Sequence, residues 1–227
     1  LRRLPSVGPR VGEFASRLAL QTLADIYFTA NETAIPARLR EALRQANLRI
    51  YEEAEHNPQY HGMGTTVVGA LFSAKKRRMY IGHVGDSRAY RIREGEIRLM
   101  TRDHSLVNDY LLAMPELTEE QRSELPKNVI TRALGMQDHV TVDLQSDECE
   151  AGDLYVLCSD GLSGMIDDQE ILSVVLTTPD LHDACRRLVG MANEHGGEDN
   201  ITAVIVRIGT TPAPEAVGAA PPATSGV

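Results

Sequence analysis

Three aspartates occupy the same kind of position in this sequence, beside a glycine-bearing turn at one end of an apolar stretch. Asp86 interrupts the run MYIGHVGDSRAYRI (79–92), Asp160 follows the run LYVLCS, and Asp199 precedes NITAVIVRI. If the apolar runs are strands, a sheet fixes the backbone of each aspartate and leaves its carboxylate free at the rim. Aspartate beside glycine is also typical of an ordinary turn, so both interpretations stay open for each residue taken alone.

Carboxylates that converge repel one another unless a cation lies between them. Ligands that are all oxygen favour hard ions such as Mg²⁺ or Mn²⁺. Zinc would ask for histidine and cysteine ligands, and the seven histidines show no ligand spacing. We expect His104 at the surface and His195 as a charge at a helix C-terminus.

Other chemistries are excluded by their motifs and by the composition. The sequence has neither the GxSxG of a serine hydrolase nor the GxxxxGK[ST] of a nucleoside triphosphate site. The net charge of −9 argues against a nucleic acid or an anionic membrane as partner. Cys149, Cys158 and Cys185 are odd in number and lack CxxC spacing, so we predict reduced core thiols.

Size and targeting signals point to one domain in the cytoplasm. The 227 residues include 42% hydrophobic and 24% charged residues, which is ordinary for a single globular domain. No apolar run is long enough to cross a membrane, and LRRLPSVGPR lacks the apolar segment of a secretory signal, so we expect a cytoplasmic protein. Residues 209–227 are rich in Pro, Ala and Gly, which predicts a flexible tail or linker.

Hydrophobic periodicity predicts the elements that position the aspartates. Helical spacing predicts helices over 11–28, 36–54, 169–176 and 181–192. Apolar runs predict strands over 65–72, 78–84, 89–92, 97–101, 140–144, 154–159 and 201–208. We expect consecutive strands to form antiparallel hairpins, and hairpins mixed with helix pairs predict an α+β sandwich. Segment 104–135 returns to helical character, with Thr118 and Gln121 spaced as a capping box.

Four segments together resemble the ordered signature motifs of the metal-dependent protein phosphatases of the PP2C type, in their bacterial form. The segments are GMGTTVVGAL (62–71), GHVGDSRAYRI (82–92), LCSDGLSGMI (157–166) and GGEDNITAVIV (196–206). The resemblance covers about residues 11–208 in the expected order.

The resemblance implies a fold, a metal centre and a reaction. The fold is a four-layer αββα sandwich over residues 1–208, two antiparallel sheets flanked by antiparallel helix pairs, with 104–135 as a mobile flap. Asp160 and Asp199 would hold a binuclear Mn²⁺ or Mg²⁺ centre, and Asp86 would share a third ion with Asp160. Gly161 and Asn200 would support these ligands.

The implied reaction needs no catalytic side chain. A metal-activated water would hydrolyse phosphoserine and phosphothreonine in proteins. The substrates would be phosphoproteins produced by a serine/threonine kinase.

The N-terminus departs from the family pattern. Members carry an acidic ligand, a phosphate-binding arginine and then DGxGG, whose aspartate bridges both metals. Alignment backward from GEFAS (12–16) places Leu4-Pro5-Ser6-Val7-Gly8 at that motif, and Leu4 cannot bind a cation. Two explanations are open: an enzyme whose N-terminal part is missing from this sequence, or a catalytically impaired module that binds a phosphoprotein or kinase. We favour the enzyme, because a module without metal has no evident use for three clustered carboxylates.

Overall fold

A computed structural model describes residues 9–29, 34–118, 120–121, 125–126 and 129–209. Residues 4–8, which stand in place of the DGxGG motif, and the predicted tail from residue 210 onward lie outside these residues. The helices with defined bounds are α1 (Pro9–Thr29), α2 (Ile35–His56), α3 (Leu106–Ala113), α4 (Asp160–Ser163), α5 (Asp168–Thr177) and α6 (Leu181–Glu194). The strands are β1 (Val67–Ser73), β2 (Arg78–Val84), β3 (Arg88–Arg93), β4 (Glu96–Leu99), β5 (Asp143–Glu148), β6 (Leu154–Cys158) and β7 (Ala203–Arg207).

The strands form two antiparallel sheets. The first has the order β1-β2-β5 and the second the order β4-β3-β6-β7. Helices α1 and α2 pack together over the first sheet, while α5 and α6 pack over the second. The expected four-layer αββα sandwich is confirmed.

Each pair of adjacent layers encloses its own apolar core. The core under α1 and α2 includes Leu39, Leu43, Ile50 and Val84. The core between the sheets includes Met79, Ile81, Ala89 and Tyr155. The core under α5 and α6 includes Tyr90, Val156, Ile171 and Leu188. Neighbouring residues of one strand therefore pack into different cores, because successive side chains of a strand point to opposite faces of the sheet.

The predicted hairpin between β2 and β3 is wrong. β2 pairs with β1 on one side and with β5 on the other, so no edge remains for β3. β3 instead pairs with β4 and β6 in the second sheet. The chain passes from one sheet to the other at Gly85-Asp86-Ser87, which explains why a carboxylate interrupts an otherwise continuous strand pattern.

Two other predicted segments differ from the structure. The strand expected over 140–144 begins only at Asp143 and extends to Glu148, because Val140 and Val142 pack on the first core from outside the sheet. In the described part of 104–135, helix is limited to α3 and residues 120–121. The capping box is confirmed, since the Thr118 and Gln121 amides donate to each other's side chains at 3.0 and 3.3 Å.

No helix in the described part of the chain is both long enough and apolar enough to cross a bilayer.

Candidate metal centre

Asp86 lies where the chain crosses between the two sheets. Its side chain is half-buried, and its Oδ1 atom is fully buried with no hydrogen-bond partner among the described residues. Burial, followed by the negative charge of Asp160, raises the pKa of Asp86 to about 7. An orphaned, buried carboxylate oxygen is a costly feature that a bound cation would offset.

Asp160 begins α4 directly after β6. Its carboxylate accepts a hydrogen bond from the Gly161 amide at 2.9 Å. The residue reaches solvent, yet the protein around the carboxylate desolvates it and raises its pKa, and the charge of Asp199 adds to this effect. The carboxylates of Asp160 and Asp199 therefore lie close enough to repel each other.

Asp199 lies in the exposed loop before β7, with its Oδ1 atom accepting from the Asn200 amide at 2.6 Å. Ser159 fastens this loop to the start of α4: its hydroxyl donates to the Asn200 carbonyl at 2.8 Å and accepts from the Thr202 amide at 3.0 Å. The segments that carry Asp160 and Asp199 are thus held side by side by a serine that the sequence analysis did not single out.

Asp160 is the neighbour that Asp86 and Asp199 share, since its charge acts on Asp86 and the charge of Asp199 acts on it. The structure therefore brings all three predicted aspartates to one edge of the sandwich. A further acid, Asp103, also raises the pKa of both Asp86 and Asp160. The nearby cation Arg88 is already engaged, because its Nε and Nη2 atoms donate to Asp103 at 3.0 and 2.7 Å.

A second cluster, His83, His104 and Asp143, was missed by the sequence analysis. Potential ligand atoms of the three residues all lie within 4.8 Å of one another. The prediction that His104 is a surface residue is wrong, since it is 2% exposed. Arg132 lies among these atoms, with Nη1 2.9 Å from Nε2 of His104 and 2.8 Å from Oδ1 of Asp143. A guanidinium cation therefore already occupies this cluster.

No sequence signal could have found the cluster, because its members come from β2, the loop after β4, and β5. His195, by contrast, lies at the C-terminal end of α6 as expected, with Nδ1 2.9 Å from the Met165 carbonyl oxygen.

The cysteines do not offer a nucleophile. All three are free thiols, with Cys149 and Cys158 buried, as predicted for reduced core residues. Burial raises the pKa of all three thiols, that of Cys158 to about 12, so the reactive thiolate is scarce near neutral pH.

Comparison with known proteins identifies the family. The family model described as "Protein phosphatase 2C" matches residues 8–204. The serine/threonine phosphatase stp of Listeria welshimeri is 36% identical over 206 residues, which cover 88% of this chain and 80% of that protein.

Solved structures agree with the sequence relatives. The serine/threonine phosphatase PstP/Ppp of Mycobacterium tuberculosis is 35% identical, with a TM-score of 0.79 over 89% of this chain and 85% of that one. The catalytic domain of PstP in complex with two manganese ions is 35% identical, with a TM-score of 0.77 over 89% and 84% of the two chains. The chain described here belongs to the protein phosphatase 2C family.

Proposed function

We propose that this chain is a Mn²⁺- or Mg²⁺-dependent protein phosphatase that hydrolyses phosphoserine and phosphothreonine in proteins. The observation that carries the proposal is the orphaned Oδ1 atom of Asp86, buried next to the charge of Asp160. The family relationship supplies the reaction class, since the relatives are named as serine/threonine phosphatases. No described feature favours the catalytically impaired alternative.

The residues of the edge fit hard divalent cations. Asp86, Asp160 and Asp199 offer oxygen ligands, which Mn²⁺ and Mg²⁺ prefer. In this proposal Asp160 and Asp199 hold the paired ions, and Asp86 shares a further ion with Asp160. Two or three such ions, when bound, would neutralise phosphate charge and activate a water molecule.

The protein's own contribution is to hold these oxygens in place before an ion arrives. β6 and α4 fix the backbone of Asp160, and Ser159 ties the Asp199 loop to it. Gly161 and Asn200 support the ligands, because their backbones lie in direct contact. Preorganised ligands lose little conformational freedom on binding, which raises affinity.

Substrate class and setting belong to the same proposal. The partner is a phosphoprotein made by a serine/threonine kinase, and the expected location is the cytoplasm. Residues 104–135 are proposed as a flap over the substrate, and the first residue of this segment, His104, contacts Gly85 next to Asp86. Residues 1–208 are proposed as the phosphatase domain, and residues 209–227 as a tail or linker.

The test uses the protein expressed from its complete reading frame. We expect hydrolysis of p-nitrophenyl phosphate and of a phosphothreonine peptide that requires Mn²⁺ and stops on addition of EDTA. Asp160→Asn should lower kcat/KM by about 100-fold or more, because it removes a ligand oxygen's charge from the centre. Asp25→Asn, which changes an exposed acid of α1, is the matched control and should leave kcat/KM unchanged.

Calorimetry measures Mn²⁺ binding to wild type, Asp160→Asn and Asp25→Asn. Turnover that is independent of Mn²⁺, or that survives Asp160→Asn, would overturn the proposal.

A further inference from the structure

Both polar backbone groups of Gly85 are held by one residue, His104. The Gly85 amide donates to Nδ1 of the His104 ring at 2.9 Å. In the opposite direction, the His104 amide donates to the Gly85 carbonyl at 3.0 Å. Because His104 is 2% exposed, water does not compete effectively for these two hydrogen bonds.

Gly85 sets the direction in which the chain leaves the first sheet. Its φ of +111° lies in the left-handed region, which side chains other than glycine rarely adopt. A β-carbon at this position would also lie 2.4 Å from Cγ2 of Thr66. The conformation is therefore specific, and it determines where the next residue, Asp86, points.

Asp86 depends on this backbone for its orientation. Its Oδ1 atom has no hydrogen-bond partner among the described residues, and the hydrogen bond that lowers its pKa comes from its own backbone. No side chain among the described residues donates a hydrogen bond to this oxygen. The clamp on Gly85 thus fixes the backbone on one side of Asp86, and the hydrogen bond between the Ser87 and Thr66 hydroxyls, 2.9 Å long, fixes it on the other.

The clamp needs the tautomer of His104 in which Nδ1 carries no proton. Since Nδ1 accepts from Gly85, the proton of the neutral ring lies on Nε2, where Oδ2 of Asp143 is the acceptor at 3.3 Å. Nη1 of Arg132 also lies 2.9 Å from Nε2, but it cannot accept this proton and donates to Oδ1 of Asp143 at 2.8 Å. Burial, with the positive charge of Arg132 next, lowers the pKa of His104 and keeps the ring neutral. His83 stacks on the ring at 4.8 Å between centroids.

We propose that His104 is a positioning residue of the metal centre: it holds Gly85 so that the Asp86 carboxylate faces Asp160 before any ion binds. This inference rests on the proposed function. It extends to His104 the general observation that groups which orient metal ligands contribute strongly to metal affinity.

The experiment compares three substitutions of His104 in the complete protein. His104→Leu removes the acceptor for the Gly85 amide, while His104→Asn keeps an oxygen at the position of Nδ1. His104→Gln moves the amide group one bond further, towards the position of Nε2. The backbone hydrogen bond from residue 104 to the Gly85 carbonyl is available in all three variants.

Two quantities are measured for each variant, the exchange rate of the Gly85 amide proton and the affinity for Mn²⁺. In EDTA, exchange of the Gly85 amide proton by NMR, relative to that of Gly82 in β2, should be about tenfold faster in His104→Leu and near wild type in His104→Asn. Calorimetry with Mn²⁺ should show about tenfold weaker binding or more in His104→Leu, with recovery in His104→Asn. If His104→Leu does not fold, His104→Gln takes its place. Gly85 exchange should then be faster, and Mn²⁺ affinity lower, in His104→Gln than in His104→Asn.

His83→Leu is the matched control. It removes a buried histidine from the same stack, but His83 makes its hydrogen bond to the Arg102 carbonyl and none to Gly85. Gly85 exchange and Mn²⁺ affinity should therefore stay within about twofold of wild type. A loss of Mn²⁺ affinity as large as that of His104→Leu would show a general packing effect and overturn the positioning role.

The remaining outcomes separate this inference from the proposed function. Normal Mn²⁺ binding by wild type and by a folded His104→Leu protein would overturn the positioning role alone. Absence of Mn²⁺ binding by wild type would overturn the proposed function, and the positioning role with it.

Discussion

The α-carbon of Gly161 faces the carbonyl oxygen of Asn200 so closely that a β-carbon at position 161 would lie 2.5 Å from that oxygen. Glycine at this position therefore lets the loop of Asp199 pack directly on the first turn of α4, where Asp160 lies. Two ligand-bearing segments that are 39 positions apart in the sequence, from 160 to 199, meet at a contact with no room for a methyl group.

Gly161→Ala should separate the two segments. We expect a loss of about 1–3 kcal/mol in the free energy of unfolding, because the added methyl group meets backbone atoms that cannot rotate away. Mn²⁺ affinity should fall about tenfold or more, since Asp199 moves relative to Asp160. Urea unfolding in EDTA and calorimetry with Mn²⁺ measure the two effects.

Gly190→Ala is the control for this substitution. Gly190 lies within α6, and a β-carbon there would meet nothing within 4 Å. Alanine should stabilise the helix by about 0.5–1 kcal/mol and leave Mn²⁺ affinity unchanged. Wild-type Mn²⁺ affinity in Gly161→Ala would refute the importance of this contact.

Ser159→Ala tests the hydrogen bonds that hold the same junction. The hydroxyl of Ser159 bonds to both Asn200 and Thr202, so its removal should cost about 1–2 kcal/mol in unfolding free energy. Ser16→Ala removes a single hydrogen bond to the Glu13 carbonyl on the exposed face of α1 and should change stability by less than about 0.5 kcal/mol. Equal effects of the two substitutions, measured by urea unfolding, would contradict the role given to Ser159.

The layers of the fold follow from local patterns, whereas the pairing of strands does not. The apolar stripe over 181–192 predicted α6 because one face of that helix covers the second sheet. The pattern around Asp86 predicted two strands correctly but assigned them to one hairpin. The partner that excludes β3 from β2 is β5, about 60 residues further along the chain, and no local pattern reports such a contact.

In the candidate site, too, some residues can be recognised from local sequence patterns and others only from contacts distant in sequence. Asp86, Asp160 and Asp199 could be picked out because each stands beside glycine at the end of an apolar run. His104 and Ser159 could not, because their roles depend on a neighbour distant in sequence, Gly85 for one and Asn200 for the other. Residue type and spacing therefore indicate candidate ligands, while the groups that hold them emerge only from tertiary contacts.

The contribution of Asp86 to the stability of the metal-free protein should fall as pH rises from about 4 to 7. In the folded protein the pKa of Asp86 is raised to about 7 from its ordinary value of 3.8, so between these values the folded state keeps a proton that the unfolded state has lost. The stabilisation is complete below pH 3.8 and is lost as pH approaches 7. A shift of this size corresponds to at most ~4 kcal/mol.

Asp86→Asn isolates this contribution, because asparagine does not titrate. Unfolding free energies in EDTA, measured between pH 4 and 7 for both proteins, should show a steeper decline in wild type than in the variant. Parallel curves would mean that Asp86 titrates normally in the folded protein. Asp25→Asn, on the exposed face of α1, should follow wild type throughout.

Arg93→Met should strongly destabilise the second sheet. Nε and Nη2 of Arg93 both donate to the Asp153 carboxylate at 2.7 Å, and Asp153 is 1% exposed. Methionine keeps much of the volume but leaves a buried charge without its partner, which typically costs about 3–5 kcal/mol. Urea unfolding at pH 7 measures the loss, and Arg17→Met, which breaks the exposed pair with Glu13, should change stability by less than about 1 kcal/mol.

The effect of Arg93→Met should also depend on pH. Burial raises the pKa of Asp153, but the hydrogen bonds from Arg93 and the Glu150 amide, together with the charges of Arg93 and Arg91, outweigh burial and lower the pKa below its ordinary value. The stabilisation from this carboxylate is therefore present above the ordinary pKa and is lost as pH falls below it. In Arg93→Met the unpaired carboxyl group takes up a proton at higher pH, so the difference in unfolding free energy between the two proteins should narrow from pH 7 to pH 4. A constant difference across this range would show that Arg93 stabilises the sheet by packing and not by its charge.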